Sequence, residues 1–71
     1  MSKKYEAILR DKSEIQNMKI GKDIILYFIN GEEYRGLFDG VDDNEIILKS
    51  QKTGYKIGLP IDRLKHFLEV I

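Results

Sequence analysis

Acidic side chains are concentrated in one short segment near the middle of the chain. The segment FDGVDDNE, Phe38–Glu45, holds four carboxylates and one asparagine. A calcium loop of the EF-hand type needs alternating oxygen ligands, a glycine at its sixth position and a glutamate at its twelfth, and this segment lacks that spacing. A carboxylate pair for hydrolysis needs one acid with a raised pKa inside a cleft, whereas these carboxylates lie among turn residues. The pattern therefore predicts a turn between two strands and no metal or catalytic site.

Other residue types that carry chemistry are scarce. The sequence has one histidine, His66, and no cysteine, which excludes disulfides and thiolate metal sites. No serine is arranged with a base as an activated nucleophile, and no glycine-rich phosphate loop is present. We therefore expect a protein that is not an enzyme and that uses no cofactor or metal ion.

Aromatic side chains are candidates for nucleic-acid binding, because bases stack on their rings. Each stacked base contributes about 1–3 kcal/mol, and the chain has four tyrosines and three phenylalanines. For most of them, packing in a small core is the alternative role. Tyr27 and Phe28 are adjacent in a predicted strand, so they point to opposite faces and one of them belongs to the core.

Charge is balanced over the whole chain but not along it. Twelve basic residues match twelve acidic ones, so no net field attracts nucleic acid or a membrane, and a domain that binds phosphates is normally basic. Six basic residues are nevertheless in the N-terminal third: Lys3, Lys4, Arg10, Lys12, Lys19 and Lys22. They predict a local basic surface on the first element.

The length and the first residues limit the class of protein. A chain of 71 residues predicts one domain, which buries roughly 60% of the surface that its unfolded form exposes. Domains of this size often gain stability from metals, disulfides or partner subunits. The segment MSKKYEAILRDK has no apolar stretch typical of a secretory signal, and no apolar run approaches the ~20 residues that span a membrane. We expect a cytoplasmic protein without membrane contact.

One helix and five strands would position these residues. Apolar residues recur on one side of a short helical segment: Tyr5, Ile8, Leu9 and Ile15. This spacing predicts an amphipathic helix over about residues 4–17. Asn30–Gly31 between two apolar segments predicts a hairpin with a type I′ turn. The predicted strands are DIILYFIN, EEYRGLFDGV, EIILKS, YKIGL and KHFLEVI, with one helical turn at PIDRL.

This order of elements predicts a mostly β fold. Five short strands in about fifty residues favour a strongly bent antiparallel barrel over about residues 22–71, preceded by the N-terminal α-helix. Gly36 and Gly40 inside a strand are typical of bulges or sharp bends. Residues 1–71 would form this single domain.

One stretch, NGEEYRGLFDGVDDNEIILK, resembles the Sm-like superfamily, which includes bacterial Hfq, archaeal Sm proteins and eukaryotic Sm and LSm proteins. The resemblance rests on the order and spacing of residues in two motifs. They are IILYFI, Asn30-Gly31, Gly36, Val41-Asp42 and Ile46-Ile47-Leu48 in the first, and Tyr55, Lys56, Gly58 and Ile61 of YKIGLPI in the second. It implies the Sm-like, or SH3-like, form of the five-stranded barrel.

The resemblance also implies a protein that binds single-stranded RNA, U-rich or A-rich, in RNA regulation or processing. The RNA-binding residues would be Tyr27, Asp43, Asn44, Tyr55 and Lys56, with Arg10 and Lys12 on the basic helix face. The structural turn residues would be Asn30, Gly31, Gly36, Asp42 and Gly58. Among these, the Asp42 side chain would hold its turn by hydrogen bonds, as aspartates commonly do.

A ring of identical subunits, a hexamer or heptamer, is a further implication of the resemblance. The fourth predicted strand of one copy would pair with the fifth of its neighbour. This pairing would cover an apolar edge at Phe67, Leu68, Val70 and Ile71, and an uncovered apolar edge invites another chain.

Two alternatives to RNA binding remain open. The balanced charge, the acidic Asp43 and the apolar Ile57 favour a small-barrel protein-interaction or assembly module that does not bind RNA. Ile57 stands where the family motif has a histidine or an arginine. A PRC-type barrel, whose end resembles LPIDRLKHF, would also dock to other proteins and would be monomeric or dimeric.

Overall fold

Six antiparallel strands form one sheet in the computed structural model, which describes residues 6–71. The strands are β1 (Ala7–Asp11), β2 (Asp23–Phe28), β3 (Glu33–Asp42), β4 (Glu45–Lys49), β5 (Lys56–Pro60) and β6 (Leu64–Val70). A first 3-10 helix, Lys12–Asn17, follows β1, and a second, Ile61–Arg63, follows β5. The strand order is β1-β6-β2-β3-β4-β5, so β1 and β5 are the two edges of the sheet.

The predicted N-terminal α-helix over residues 4–17 is wrong. Ala7–Asp11 is strand β1, which pairs with β6, and Lys12–Asn17 is helical only as a 3-10 segment. Ile8 and Leu9 therefore point to opposite faces of a strand and do not share one helical stripe. Three residues assigned to that helix face lie outside the described residues: Lys3, Lys4 and Tyr5.

Local capping chemistry explains why helical structure begins as late as it does. The Asp11 carboxylate accepts the Ser13 N–H at 3.0 Å, and the Glu14 carboxylate accepts the Asp11 N–H at 3.0 Å. This reciprocal capping box starts the helix immediately after Asp11. The residues before it are left to pair with β6, and an isolated helix of this length has too little stability to compete with that pairing.

The five predicted strands are confirmed as β2 to β6, but the five-stranded barrel is wrong. β1 adds a sixth strand. The sheet is open, because the first and last strands of its order, β1 and β5, do not pair with each other. The fifth predicted strand, β6, pairs with β1 on one side and with β2 on the other. Phe67 is consequently buried in the interior and is not part of an exposed apolar edge.

One face of the sheet carries the hydrophobic core. Its buried members are Ile15, Ile24, Leu26, Phe28, Phe38, Ile46, Leu48, Leu64 and Phe67. Phe28 is the core residue of the Tyr27–Phe28 pair and contacts the Tyr34 ring edge-on, with centroids 5.8 Å apart. Ile15 comes from the first 3-10 helix and has no exposed surface, so this helix closes the core on the side away from the sheet.

One of the two hairpin turns that flank β3 differs from the sequence prediction in detail, and the other agrees with it. Asn30–Gly31 joins β2 to β3 as expected, but the type I′ turn is wrong because Gly31 alone has a positive φ there. The Gly31 N–H donates to the Phe28 carbonyl at 3.0 Å, and Asn30 Oδ1 accepts the Glu32 N–H at 3.0 Å. Positive φ angles of 49° and 64° occur instead at Asp43–Asn44, which confirms the predicted turn in the acidic segment.

The two glycines inside β3 serve different purposes. Gly40 has a φ of 106° and lies where the pairing register shifts between Phe38 and Val41, which confirms a bulge there. Gly36 is regularly paired, and a Cβ atom at this position would lie 3.0 Å from the Lys49 carbonyl oxygen. Position 36 therefore requires a glycine because the backbones of β3 and β4 approach closely there, and not because of a bulge.

Truncation of Ile15 tests whether the first 3-10 helix is part of the core. Ile15→Ala removes buried methyl groups and is expected to lower the free energy of unfolding by about 2–5 kcal/mol. The neighbouring Gln16 is exposed, so Gln16→Ala should change the free energy of unfolding by less than about 0.5 kcal/mol. Urea unfolding measures both; similar small changes for the two variants would contradict this packing.

Candidate functional site

A cleft brings together two of the residues expected to bind RNA. Lys12 of the first 3-10 helix and Asn44 of the β3–β4 turn line a space of about 470 Å³, together with Ile61 and Asp62 of the second 3-10 helix. We call this space the Lys12–Asn44 cleft. Its other lining residues are Ser13, Ile15 and Gln16. It offers one ammonium group, one carboxylate, two amides and one hydroxyl beside the apolar side chains of Ile15 and Ile61.

Asn44 is held firmly at one wall of the cleft. Its Nδ2 donates to Asp62 Oδ2 at 3.0 Å, and its backbone carbonyl accepts the Ile61 N–H at 3.0 Å. The β3–β4 turn is thereby tied to the second 3-10 helix. Within residues 6–71 the Asp42 carboxylate makes no hydrogen bond, so Asn44 and the left-handed backbone fix this turn, and the Asp42 side chain does not. Asp43 is exposed at the tip of the turn.

Two of the cations expected to contact RNA are already held by carboxylates. Arg10 Nη2 lies 2.9 Å from Glu69 Oε1, and Arg10 Nη1 lies 3.3 Å from Glu14 Oε1. Lys56 Nζ lies 2.8 Å from Asp39 Oδ2. A phosphate at either cation would have to displace these carboxylates. Lys12, by contrast, forms no ion pair with any residue in the described range 6–71.

Glu69 is the centre of a charge cluster that fastens β1 to the sheet. Its Oε1 contacts Arg10 of β1, and its Oε2 lies 3.1 Å from Lys22 Nζ. Only 13% of the Glu69 side chain is exposed. Hydrogen bonds from Arg10, and then from Lys22, lower the pKa of the Glu69 carboxyl. The hydrogen bond to Glu69 in turn raises the pKa of Arg10. The cluster therefore keeps its charges and stabilises the β1–β6 pairing.

The aromatic candidates lie on two other surfaces. Tyr27 is on the sheet face opposite the core and stacks on His66, with ring centroids 5.0 Å apart and planes 27° apart. Tyr55, just before β5, has 78% of its surface exposed. Neither tyrosine lines the Lys12–Asn44 cleft. The predicted RNA-binding residues are thus spread over the cleft, the outer sheet face, strand β1 and the β5 edge.

Sequence reasoning placed an assembly edge at the fourth predicted strand, which is β5, but it missed the other sheet edge, β1. At the β1 edge, 39% of Ile8 and 66% of Leu9 are exposed, and at the β5 edge Ile57 and Tyr55 are also exposed. A Cβ atom at Gly58 of β5 would lie 2.5 Å from Glu45 Oε1, so this glycine lets the Glu45 side chain cross the edge strand. The segment DKSE carried the signal for β1, because a capping box places the preceding residues outside the helix.

Comparisons with protein-family models, with curated proteins and with solved structures found no match to this chain. Among residues 6–71, acidic and histidine side chains form no group of three that could hold a metal ion. No helix in that range is long and apolar enough to cross a membrane.

The Glu69 cluster predicts a specific dependence of stability on pH. Because its folded pKa is lowered from the ordinary 4.5, the charged Glu69 contributes stability above pH 4.5, and this contribution is lost as the pH falls through the lower folded value. Glu69→Gln should therefore destabilise the protein at neutral pH and differ little from the unmodified chain in strong acid.

Urea midpoints measured from neutral pH down to acid would test this, with Glu33→Gln as the control because Glu33 is exposed. A Glu69→Gln penalty that is equal at all pH values would show that the side chain acts by packing and not by charge.

Proposed function

We propose that this chain is a homo-oligomeric assembly module whose copies join through the edges of their sheets. One observation carries the proposal: both edge strands, β1 and β5, expose apolar side chains beside unpaired backbone groups. Monomeric proteins usually protect such edges, because a free strand is a template for another chain. Here the protection is partial, since Pro60, which has no N–H to donate, lies at one end of β5 and leaves the rest of the strand open.

The position of β1 determines which edges are available for assembly. The resemblance to Sm-like proteins implied pairing through the outer side of β6, but β1 already occupies that side. Copies of the folded chain would therefore meet through β1 and β5. A chain of 71 residues has a small core, and burial of edge residues between copies would add to its stability.

Charge on the β5 edge should prevent assembly. Ile57→Lys places a cation at an exposed position of the edge strand, and edge lysines oppose strand addition. The matched control is Ile29→Lys, because Ile29 is 67% exposed in the β2–β3 connection and belongs to no strand. We expect oligomers of the unmodified chain and of Ile29→Lys, and monomers of Ile57→Lys, by native mass spectrometry.

A monomeric unmodified chain at all concentrations tested would overturn the proposal. Equal oligomer formation by Ile57→Lys and the control would mean that the β5 edge is not the assembly surface.

Binding of single-stranded RNA, U-rich or A-rich, is a second proposed function. It is favoured by the presence of Lys12 and Asn44 in one cleft, because an ammonium group can bind a phosphate while an amide reads a base edge. The second 3-10 helix contributes Ile61 as an apolar surface. This function is compatible with assembly, since neither residue belongs to an edge strand.

Fluorescence anisotropy with oligo-U and oligo-A, each at two salt concentrations, tests RNA binding. Affinity should fall steeply as salt rises, because bound phosphates release counterions. Lys12→Ala should weaken binding, while Lys65→Ala, at an exposed position of β6 outside the cleft, should leave it unchanged. Absence of binding at micromolar protein would exclude this function, and equal effects of the two variants would exclude the cleft.

A further inference from the structure

We infer that assembly is head to tail, with β5 of one copy pairing antiparallel to β1 of the next in the register that sets Ile8 opposite Ile57. This inference rests on the proposed assembly function and specifies its contact. It follows from two observations. Each edge leaves certain backbone groups free, and the exposed side chains of both edges lie on matching faces when those free groups pair.

The free groups of β5 follow from the alternation of hydrogen bonds in an antiparallel pair. The Ser50 N–H donates to the Tyr55 carbonyl at 2.8 Å, and the Ile61 N–H donates to the Asn44 carbonyl at 3.0 Å. In this register, every second residue of β5 is bonded to β4, and the residues between point their backbone groups outward. The outward residues are Lys56, Gly58 and Pro60.

The free groups of β1 follow in the same way. The Ile71 N–H donates to the Glu6 carbonyl at 2.8 Å, which continues the pairing of β1 with β6. The outward residues of β1 are therefore Ala7, Leu9 and Asp11. The Asp11 N–H is already bound by the Glu14 carboxylate, which agrees with this assignment.

Two of these six residues are unsuited to pairing with another copy. Pro60 has no N–H to donate, and the Asp11 N–H is bound within its own chain. The remaining four are Ala7 and Leu9 on one edge and Lys56 and Gly58 on the other. Ala7 opposite Gly58 and Leu9 opposite Lys56 is the antiparallel arrangement that satisfies all four residues, since each such pair exchanges both of its hydrogen bonds.

The exposed side chains match in the same register. Ile8 lies on the core face, because Arg10, two residues further along β1, lies opposite the buried Phe67, and residues two apart in a strand share a face. Ile57 lies on the core face as well, because it pairs with the buried Leu48. Ile8 and Ile57 are 39% and 46% exposed, and they would cover one another. A slip by one residue would put them on opposite faces.

The faces on either side of this contact are also compatible. Leu9, on the outer face, would lie beside the aliphatic part of Lys56, and a lysine stem covers apolar surface while its ammonium group stays in water. Asp39 already holds that ammonium group 2.8 Å away. On the core face, Arg10 would come opposite Tyr55, whose ring is exposed in the single chain.

A head-to-tail contact leaves one β1 edge and one β5 edge free at the ends of any open assembly. Such a contact is heterologous, so copies continue to add until a ring closes or a filament forms. It also differs from the pairing that the Sm-like resemblance implied, because β6 contributes no free edge.

Cysteine pairing tests the register directly, because the chain has no cysteine of its own. Ile8 and Ile57 would form a non-hydrogen-bonded pair with Cα atoms about 4.5 Å apart, within the roughly 4.4–6.8 Å that disulfides span. Ile8→Cys protein is mixed with Ile57→Cys protein and oxidised gently. We expect the mixed disulfide dimer in excess of its random proportion relative to the two like dimers.

Two control mixtures separate register from chance collision. Ile8→Cys mixed with Tyr55→Cys tests a slip of two residues along the same face, and Ile8→Cys mixed with Ile29→Cys tests an exposed loop. Both should give no excess of the mixed dimer. On the unmodified chain, amide exchange at Leu9 and Gly58 should slow as protein concentration rises.

The outcomes distinguish this inference from the function on which it rests. Oligomers without an excess of the Ile8–Ile57 disulfide, or with an excess of the Ile8–Tyr55 disulfide, would overturn the register and leave the assembly function in place. A monomeric chain whose Leu9 and Gly58 amides exchange at a rate independent of concentration would overturn both.

Discussion

The pairing of β1 along β6 is the constraint on which the rest of this structure depends. It joins residues 59 positions apart in sequence, as the Arg10–Glu69 hydrogen bond shows. It turns β6 into an internal strand and makes β1 the edge of the sheet. It also fixes the point where the chain turns at Asp11, and so delivers Ile15 to the core. The closure of the core, the identity of the free edge and the position of the cleft all follow from this one pairing.

Local signals in the sequence were sufficient for much of the fold. Strands β2 to β6 were predictable because β-branched and aromatic runs are separated by turn residues with specific backbone requirements. The N-terminal segment was not predictable in the same way. Ile8, Leu9 and Ile15 fit a helical period, but Ile8 and Leu9 find a partner strand at the far end of the chain. Hydrophobic periodicity contains no information about a partner strand so far along the chain. Pairing with that strand overrides the weak helical preference of the segment.

The candidate RNA site was predictable only in part, for the same physical reason. The resemblance located Asn44 at a turn, and Asn44 does line a cleft with Lys12. The state of the other cations depends on carboxylates that are distant in sequence. Arg10 is neutralised by Glu69, and Lys56 by Asp39, and no local pattern reveals these pairs. The resemblance alone therefore overstated how many of its candidate cations are open to a phosphate.

The short edges limit the strength with which two copies would associate. Two pairs of residues would exchange four hydrogen bonds, which at about 1 kcal/mol net for each bond give about 4 kcal/mol. This is about half of the ~8 kcal/mol of micromolar binding. The Ile8–Ile57 contact adds apolar burial, but one contact must also offset the lost freedom of two chains. A single head-to-tail pair is therefore weak. Closure of a ring makes the last contact intramolecular, and its high effective concentration stabilises every other contact. Short edges bounded by Pro60 and Asp11 thus favour a closed assembly over isolated pairs.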